Sequence, residues 1–360
     1  MVSKVMSTRA IFRVDASVQI GTGHVMRCLT LANELAEQGV ECHFICREHP
    51  GHLIPLVAEH GHQLHVLPCA ATTDDLSKGL GETQATDACQ SIAIIQNLLP
   101  EWLIVDHYAL DYHWQTLLRP YCKKIMVIDD LADRQHECDL LLDQTYGRDQ
   151  QDYKPLVPAQ CELLCGSQYA LLRPEFSQWR QYSLERRQQG KLQHLLINLG
   201  GVDKDNITSQ ILNALQGCPL PNDCKITVVM GSTAPWVDVV KQQARQLPWI
   251  TEVKVGVENM AELMANSDLA IGAAGATSWE RCCLGLPTIM VILAENQRVI
   301  AENLNRAKAG KRVYIESINE DLSKVFINLS NDAMKQISYH ATRICDGLGR
   351  VKIARLISGR

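Results

Sequence analysis

Two doubly wound α/β domains are predicted for this chain, and three observations carry the prediction. Short apolar runs alternate with stretches of helical periodicity, the pattern of β-α units around a mainly parallel sheet. The alternation restarts after a polar stretch at residues 174–191. The 360 residues, 46% apolar and 21% charged, can bury two cores rather than one.

In the first half, residues 10–14, 41–46, 63–67, 102–106, 124–128 and 140–142 read as strands. Residues 25–38 read as a helix whose apolar stripe is Leu29, Ala32, Leu35 and Ala36, stopped by Gly39. In the second half, strands are expected at 194–199, 225–230, 268–271 and 288–292, and helices at 207–216, 235–246, 259–266 and 277–284. The intervening stretch holds Gln178, Arg180, Gln181, Glu185, Arg186 and Arg187, so it reads as a linker. The expected domains are 1–175 and 192–335, with a linker at 176–191 and C-terminal helices at 336–360. Two such domains facing each other leave a cleft at the carboxyl ends of their strands, where folds of this kind bind ligands.

Composition narrows the function. The formal charge is −5 with no dense Lys/Arg tract, which argues against nucleic acid or an anionic membrane as partner. No apolar run approaches the ~20 residues of a membrane span, and Arg13 and Asp15 interrupt any N-terminal signal core, so a cytoplasmic protein is expected. The 14 cysteines are scattered through apolar runs and read as reduced and mostly buried.

The first strand leaves through Asp15 into Gly21-Thr22-Gly23-His24, with Arg27 one helical turn further. Gly21 and Gly23 let the turn fold back and a ligand approach the backbone at a helix N-terminus. Met26 occupies the third position of Gly-x-Gly-x-x-Gly, which disfavours a nicotinamide site. His24 is the candidate general base, able to take a proton from water near neutral pH; capping or packing is the plainer alternative. Asp15 can orient the loop or His24, or only form the turn, and Arg27 can meet Asp15 or a ligand anion.

The strand at 102–106 ends in Asp106-His107-Tyr108, where Tyr108 can donate to a sugar hydroxyl or amide and Asp106 or His107 can position it. Asp129-Asp130 follow the next strand, but no further ligand spacing completes a metal set, so a turn and a helix cap explain them more simply. His62 and His65 fall on opposite strand faces, against convergence with His60 on a metal. No metal and no cofactor are expected.

In the second half, Gly200-Gly201 precede one helix, and the small-residue run at 272–276 precedes Thr277, Ser278 and Glu280. Backbone N–H groups of such loops, Gly275 among them, can cradle a diphosphate without a lysine. Thr277 and Ser278 can bond phosphate oxygens and Glu280 both ribose hydroxyls, although Thr277-x-x-Glu280 is also a capping box. Asn296 and Gln297 lie in a later polar loop suited to a sugar.

The segments Phe12 to Ser17, Ile20 to Ala32 and Asp106-His107-Tyr108 resemble the UDP-2,4-diacetamido-2,4,6-trideoxy-β-L-altropyranose hydrolases of pseudaminic acid biosynthesis. The likeness takes in Asp129-Asp130, Cys165-Gly166, Tyr169-Ala170-Leu171, Arg173, Phe176, Gly200-Gly201 with Asp203, the run 272–287 and Asn296-Gln297, and is weakest after about residue 315. Its second-domain part is shared with UDP-GlcNAc-using glycosyltransferases of the peptidoglycan type. The resemblance implies a glycosyltransferase-B fold, UDP held by the C-terminal domain, and metal-independent hydrolysis, as in routes to flagellin glycosylation. It also implies that His24 activates water, that Tyr108 and Asn296 lie at the sugar, and that a last helix, within 341–358, returns to the first domain. The reading is thus a UDP-sugar hydrolase acting with inversion, expected as a monomer; a UDP-sugar glycosyltransferase and a nucleotide-sugar sensor are the alternatives.

Overall fold

The computed structural model describes residues 8–69, 79–188 and 190–359; the N-terminal residues 1–7 and position 189 of the expected linker lie outside them. The chain divides into two compact units, Met1–Leu172 with Leu348–Arg360, and Arg173–Gly347.

The first unit is built on seven parallel strands: β1 (Arg9–Val14), β2 (Glu41–Arg47), β3 (Gln63–Leu67), β4 (Trp102–Asp106), β5 (Lys124–Ile128), β6 (Leu140–Asp143) and β7 (Glu162–Cys165). Their order is β3-β2-β1-β4-β5-β6-β7. Helices α1 (Gly23–Glu37), α2 (Ile54–Glu59), α3 (Gln84–Ile95) and α4 (Tyr112–Leu118) connect them. Strands β1, β4 and β5 are buried nearly throughout, and apolar apart from their ends and Arg13, because helices cover both faces of a parallel sheet. The stripe on α1 seats Leu29, Ala32 and Leu35 in the core, and Gly39, at φ 82°, turns the chain out of the helix as expected from its left-handed backbone.

The second unit holds six parallel strands, β8 (His194–Asn198), β9 (Lys225–Met230), β10 (Thr251–Val255), β11 (Leu269–Ala273), β12 (Thr288–Ile292) and β13 (Lys311–Tyr314), in the order β10-β9-β8-β11-β12-β13. Its helices are α5 (Pro174–Arg187), α6 (Ile207–Leu215), α7 (Val237–Ala244), α8 (Met260–Ala265), α9 (Thr277–Cys283), α10 (Glu295–Arg306), α11 (Ile318–Ile327) and α12 (Asn331–Thr342). The strands the sequence reading omits, β7, β10 and β13, are three of the four edge strands of the two sheets. An edge strand buries little and carries charged residues, such as Glu252 and Lys254 in β10, that hide its period of two.

Two expectations are corrected. The linker at 176–191 is mostly α5, and its arginines are structural. Arg187 donates to the carbonyls of Met264 (2.9 Å), Ser267 (2.6 Å) and Leu284 (2.9 Å), and Arg180 to those of Thr342 (2.8 Å), Cys345 (2.9 Å) and Cys283. Most of these carbonyls close the ends of α8, α9 and α12 and have no intrahelical partner, so long cationic side chains that look like a solvated surface in sequence satisfy them instead. The stretch 341–358 is not one helix either: Gly347, at φ 78°, separates α12 in the second unit from α13 (Gly349–Ser358) in the first. Helix α13 buries Ile353, Ala354 and Ile357 in the core that α1 and β1 share. Trp102 Nε1 donates to Ile357 O at 3.1 Å and Arg350 Nε to Glu34 Oε2 at 3.1 Å.

Among the described residues no helix is long and apolar enough to cross a membrane. Nine of the fourteen cysteines are buried.

Candidate active site

In the first sheet the chain runs outward from β1 to β3 and then returns to β4 on the other side, so the topological switch point lies between β1 and β4. Val14 is in register with Asp106, which sets the two strand ends side by side. A crevice outside these carboxyl ends is where an open α/β sheet takes its ligand. The turn after β1 is closed by Gly21 N donating to Ser17 O at 2.8 Å, with Gly21 at φ 81°, and it delivers His24 and Arg27 from the start of α1 to that crevice.

There the two side chains meet Asp106. His24 Nδ1 lies 2.6 Å from Asp106 Oδ1, and Arg27 donates from Nε to Oδ2 and from Nη2 to Oδ1, both at 2.6 Å. Asp106 is fully buried; burial acts to raise its carboxyl, but Arg27 and His24 hold it well below the usual carboxylate range. An ionised carboxylate only accepts, so the Nδ1 facing it carries the proton. Arg27 Nη2 also lies 3.1 Å from Nδ1, but a guanidinium nitrogen cannot accept, so among the described residues Asp106 is the one acceptor beside Nδ1. Whenever the ring is neutral, this contact fixes the tautomer that leaves the Nε2 lone pair unused, which is the form a general base requires.

Tyr108 stands beside this pair, its ring edge-on to that of His24 with centroids 4.7 Å apart. Its hydroxyl donates to Asp130 Oδ1 at 2.7 Å, and Arg27 Nη1 donates to Asp130 Oδ2 at 3.2 Å. The two adjacent carboxylates therefore part company. Asp129 shapes its turn as expected, accepting from Ala132 N at 2.9 Å and from Tyr153 OH at 2.8 Å, whereas Asp130 joins His24, Arg27 and Tyr108.

Asp15 is not at this site. It is fully buried, with Oδ1 accepting from Arg13 Nη1 and from the backbone N–H of Arg47, both at 2.7 Å. Its other oxygen faces Nε2 of His107 at 3.4 Å and of His49 at 3.7 Å. It binds neither Arg27 nor His24, because β1 pleats it to the sheet face away from α1, beside β2. His107 likewise turns away from Tyr108 and accepts from Ala109 N at 3.0 Å.

The second sheet repeats the device. Its switch point lies between β8 and β11, and the loops leaving those strands are Gly200-Gly201 and the run 272–278. Gly200 has φ 99°, and a Cβ on neighbouring Gly231 would stand 2.0 Å from Gly201 O, so the loop after β9 packs backbone to backbone beneath it. Asp203 takes the first α6 amides, Ile207 N at 2.9 Å and Thr208 N at 3.0 Å. Under the other loop runs the buried Arg281, whose Nη2 donates to Ala273 O at 2.6 Å and to Ser278 Oγ at 3.0 Å, and whose Nη1 donates to Thr277 Oγ1 at 3.3 Å. A Cβ on Gly272 would lie 2.2 Å from that Nη1 and 2.9 Å from the backbone oxygen of Asn198, so the close packing here favours glycine.

Thr277 and Glu280 do not form a capping box: the N-cap of α9 is Ala276, with no side-chain cap, and Thr277 is held by Arg281. Loss of hydration pushes the Glu280 carboxyl up to about 7, against the pull of Arg173 and Arg281. A Cβ on Gly275 would meet nothing within 4 Å. Asn296 and Gln297 lie in the first turn of α10, where Gln297 Oε1 accepts from Leu293 N at 3.1 Å and the Asn296 side chain lies outside the described residues.

Residues 195–345 match the glycosyltransferase family 28 C-terminal domain. Among solved structures, MurG of Acinetobacter baumannii superposes with a TM-score of 0.73 at 15% identity, over 98% of this chain and all of that one. The chain has the glycosyltransferase-B fold. In sequence it is 28% identical to the UDP-2,4-diacetamido-2,4,6-trideoxy-beta-L-altropyranose hydrolase of Campylobacter jejuni, over 85% of this chain and 98% of that one. It is 27% identical to an uncharacterized protein of Methanocaldococcus jannaschii over 79% of its own length, but spans only about half, 55%, of that relative. This glycosyltransferase-B protein is thus similar to a UDP-sugar hydrolase along nearly the whole hydrolase chain.

Two members of its polar cluster escape a linear reading. Asp106 and Asp130 are separated from His24 by 82 and 106 positions, and only the strand order β1-β4-β5 makes them neighbours. The available signal was the abrupt end of two apolar runs in carboxylates, since adjacent strands of a doubly wound sheet end on one rim.

Proposed function

We propose that this chain is a nucleotide-sugar hydrolase that releases UDP from a UDP-diacetamido sugar by water attack at the anomeric carbon. The observation that carries the reading is the His24–Asp106 pair, which leaves one imidazole nitrogen free as a base at a sheet switch point. In the proposed step a water oxygen bonds to the anomeric carbon as the bond from that carbon to the UDP oxygen breaks, UDP leaves with the electron pair, and His24 Nε2 takes the water proton. Attack opposite the leaving group inverts the configuration. UDP is a good leaving group once its charge is held, so no second carboxylate is needed as acid. Tyr108 contacts the sugar, while in the second unit Gly200, Gly201, Gly275, Thr277, Ser278 and Glu280 hold the uridine diphosphate, with Asn296 and Gln297 offered to the sugar. Similarity to the Campylobacter enzyme favours UDP-2,4-diacetamido-2,4,6-trideoxy-β-L-altropyranose as substrate and 2,4-diacetamido-2,4,6-trideoxy-L-altrose as product.

Hydrolysis in heavy-oxygen water tests the step. Mass spectrometry should find the label in the free sugar and none in UDP; label in UDP would mean attack at phosphorus. The family 28 domain favours a second reading, transfer of the sugar to an acceptor other than water. Turnover of the UDP-sugar in water alone, undiminished without any added acceptor, excludes it.

Glu280 supplies a separate test. Accepting from both ribose hydroxyls requires the ionised carboxylate, and with the carboxyl at about 7 the ionised fraction grows as pH rises through neutrality. Uridine, which has no titrating phosphate, should therefore bind about tenfold more weakly at pH 6 than at pH 8. Glu280→Gln should weaken binding and flatten this dependence; a wild-type affinity independent of pH over that range removes Glu280 from the ribose.

A further inference from the structure

Tyr108 has one hydroxyl proton, and the structure commits it. The hydroxyl donates to Asp130 Oδ1 at 2.7 Å, while the other oxygen of Asp130 accepts from Arg27 Nη1 at 3.2 Å. Arg27 cannot exchange that role, because a guanidinium carries donors only and its Nε and Nη2 are fixed on the buried Asp106. Loss of hydration and the charge of Asp130 push the phenol well above its ordinary range, so it keeps its proton. Toward its partly exposed side Tyr108 therefore offers lone pairs and nothing else, the reverse of the donor expected from the residue type alone.

We propose that Asp130 is a positioning residue that makes Tyr108 a hydrogen-bond acceptor, so that Tyr108 selects a sugar group bearing an N–H or O–H proton next to His24. The inference rests on the UDP-sugar reading above. It assigns to the sugar a chemical requirement: an acetamido N–H or a hydroxyl at one ring position, not a methylated or proton-free group.

Asp130→Asn tests it, because the substitution should invert the polarity. Arg27 Nη1 must face the amide oxygen, which turns the amide N–H2 toward Tyr108; the hydroxyl then accepts from Asn and points its own proton outward. Binding is measured by calorimetry in the full chain carrying His24→Asn, so that affinity is read whether or not turnover occurs. The ligands are the UDP-diacetamido sugar and analogues methylated at one N–H or O–H at a time. With Asp130 intact, one analogue should bind at least about tenfold more weakly than the parent, since a buried acceptor left unpaired is costly. With Asp130→Asn that ratio should fall to about threefold or less, and Tyr108→Phe, which keeps the ring, should abolish it. A ratio unchanged in Asp130→Asn or Tyr108→Phe overturns the proposal, as does failure of the Asp130 protein to distinguish any analogue. Hydrolysis by the wild type without Asp130-dependent discrimination leaves the hydrolase reading standing and removes only this inference. Discrimination without hydrolysis does the opposite.

Discussion

Replacing His24 by Asn should slow UDP release by about 10²–10⁴-fold, the contribution of a positioned general base. Asn is chosen because its amide can still donate toward Asp106 Oδ1, where the imidazole donates at 2.6 Å. The buried carboxylate then keeps its partner, and the denaturant midpoint should stay near that of the wild type. The loss should fall on kcat, since the imidazole acts on water in the transition state and not on the bound sugar. Initial rates of UDP release, with urea unfolding curves for both proteins, decide the matter. A rate within threefold of wild type would return His24 to a packing role and revive a nucleotide-sugar sensor as the function.

Removing Asp87 should unfold the first unit far more readily than replacing His24 by Asn. Asp87 is fully buried and accepts from Arg13 (Nη2 at 2.6 Å, Nε at 3.1 Å), Arg47 (Nη2 at 2.7 Å) and Trp114 (Nε1 at 3.0 Å). With Asp15 it balances two arginines that are themselves inaccessible. Asp87→Ala leaves an unmatched cation and empty donors inside the protein, which costs about 3–5 kcal/mol, a large part of the 5–15 kcal/mol typical of a folded domain. Urea denaturation should show a lower midpoint with an unchanged slope. A change below about 1 kcal/mol would mean that water reaches the cluster. Burial tends to raise the Asp87 carboxyl, but Arg13 and Arg47 hold it below its ordinary value. Its contribution is therefore complete above the unfolded value near 4 and is lost only as pH falls through the lowered one.

The elements legible in the sequence were those whose burial is one-sided or complete. Strands such as β4 and β12 are continuous apolar runs ending at a polar rim, and α1 carries a stripe with a terminating glycine. What stayed hidden depended on partners distant in the chain. The arginines of α5 read as solvent-exposed because nothing local shows that their targets are carbonyls some 80 to 165 positions away. At the candidate site, His24 and Tyr108 could be singled out by residue type and place. Asp15 was misplaced because a strand-end carboxylate looks the same whichever sheet face it takes, and the face is decided by the pleat and by the arginines across it. Asp130 was masked by a neighbour, Asp129, that does form the expected turn.

The return of α13 to the first unit fixes an order of events during synthesis. The chain leaves the first unit at Leu172 and rejoins it only at Leu348, so the whole second unit is translated in between. At about 5–20 residues per second that interval lasts on the order of ten to thirty seconds. Through it, the face of α1 that Ile353, Ala354 and Ile357 will cover, on the helix that bears His24 and Arg27, stays uncovered on the ribosome. The nascent first unit thus keeps that apolar face bare until the chain is nearly complete, and the second unit, contiguous in sequence, is free to fold ahead of it.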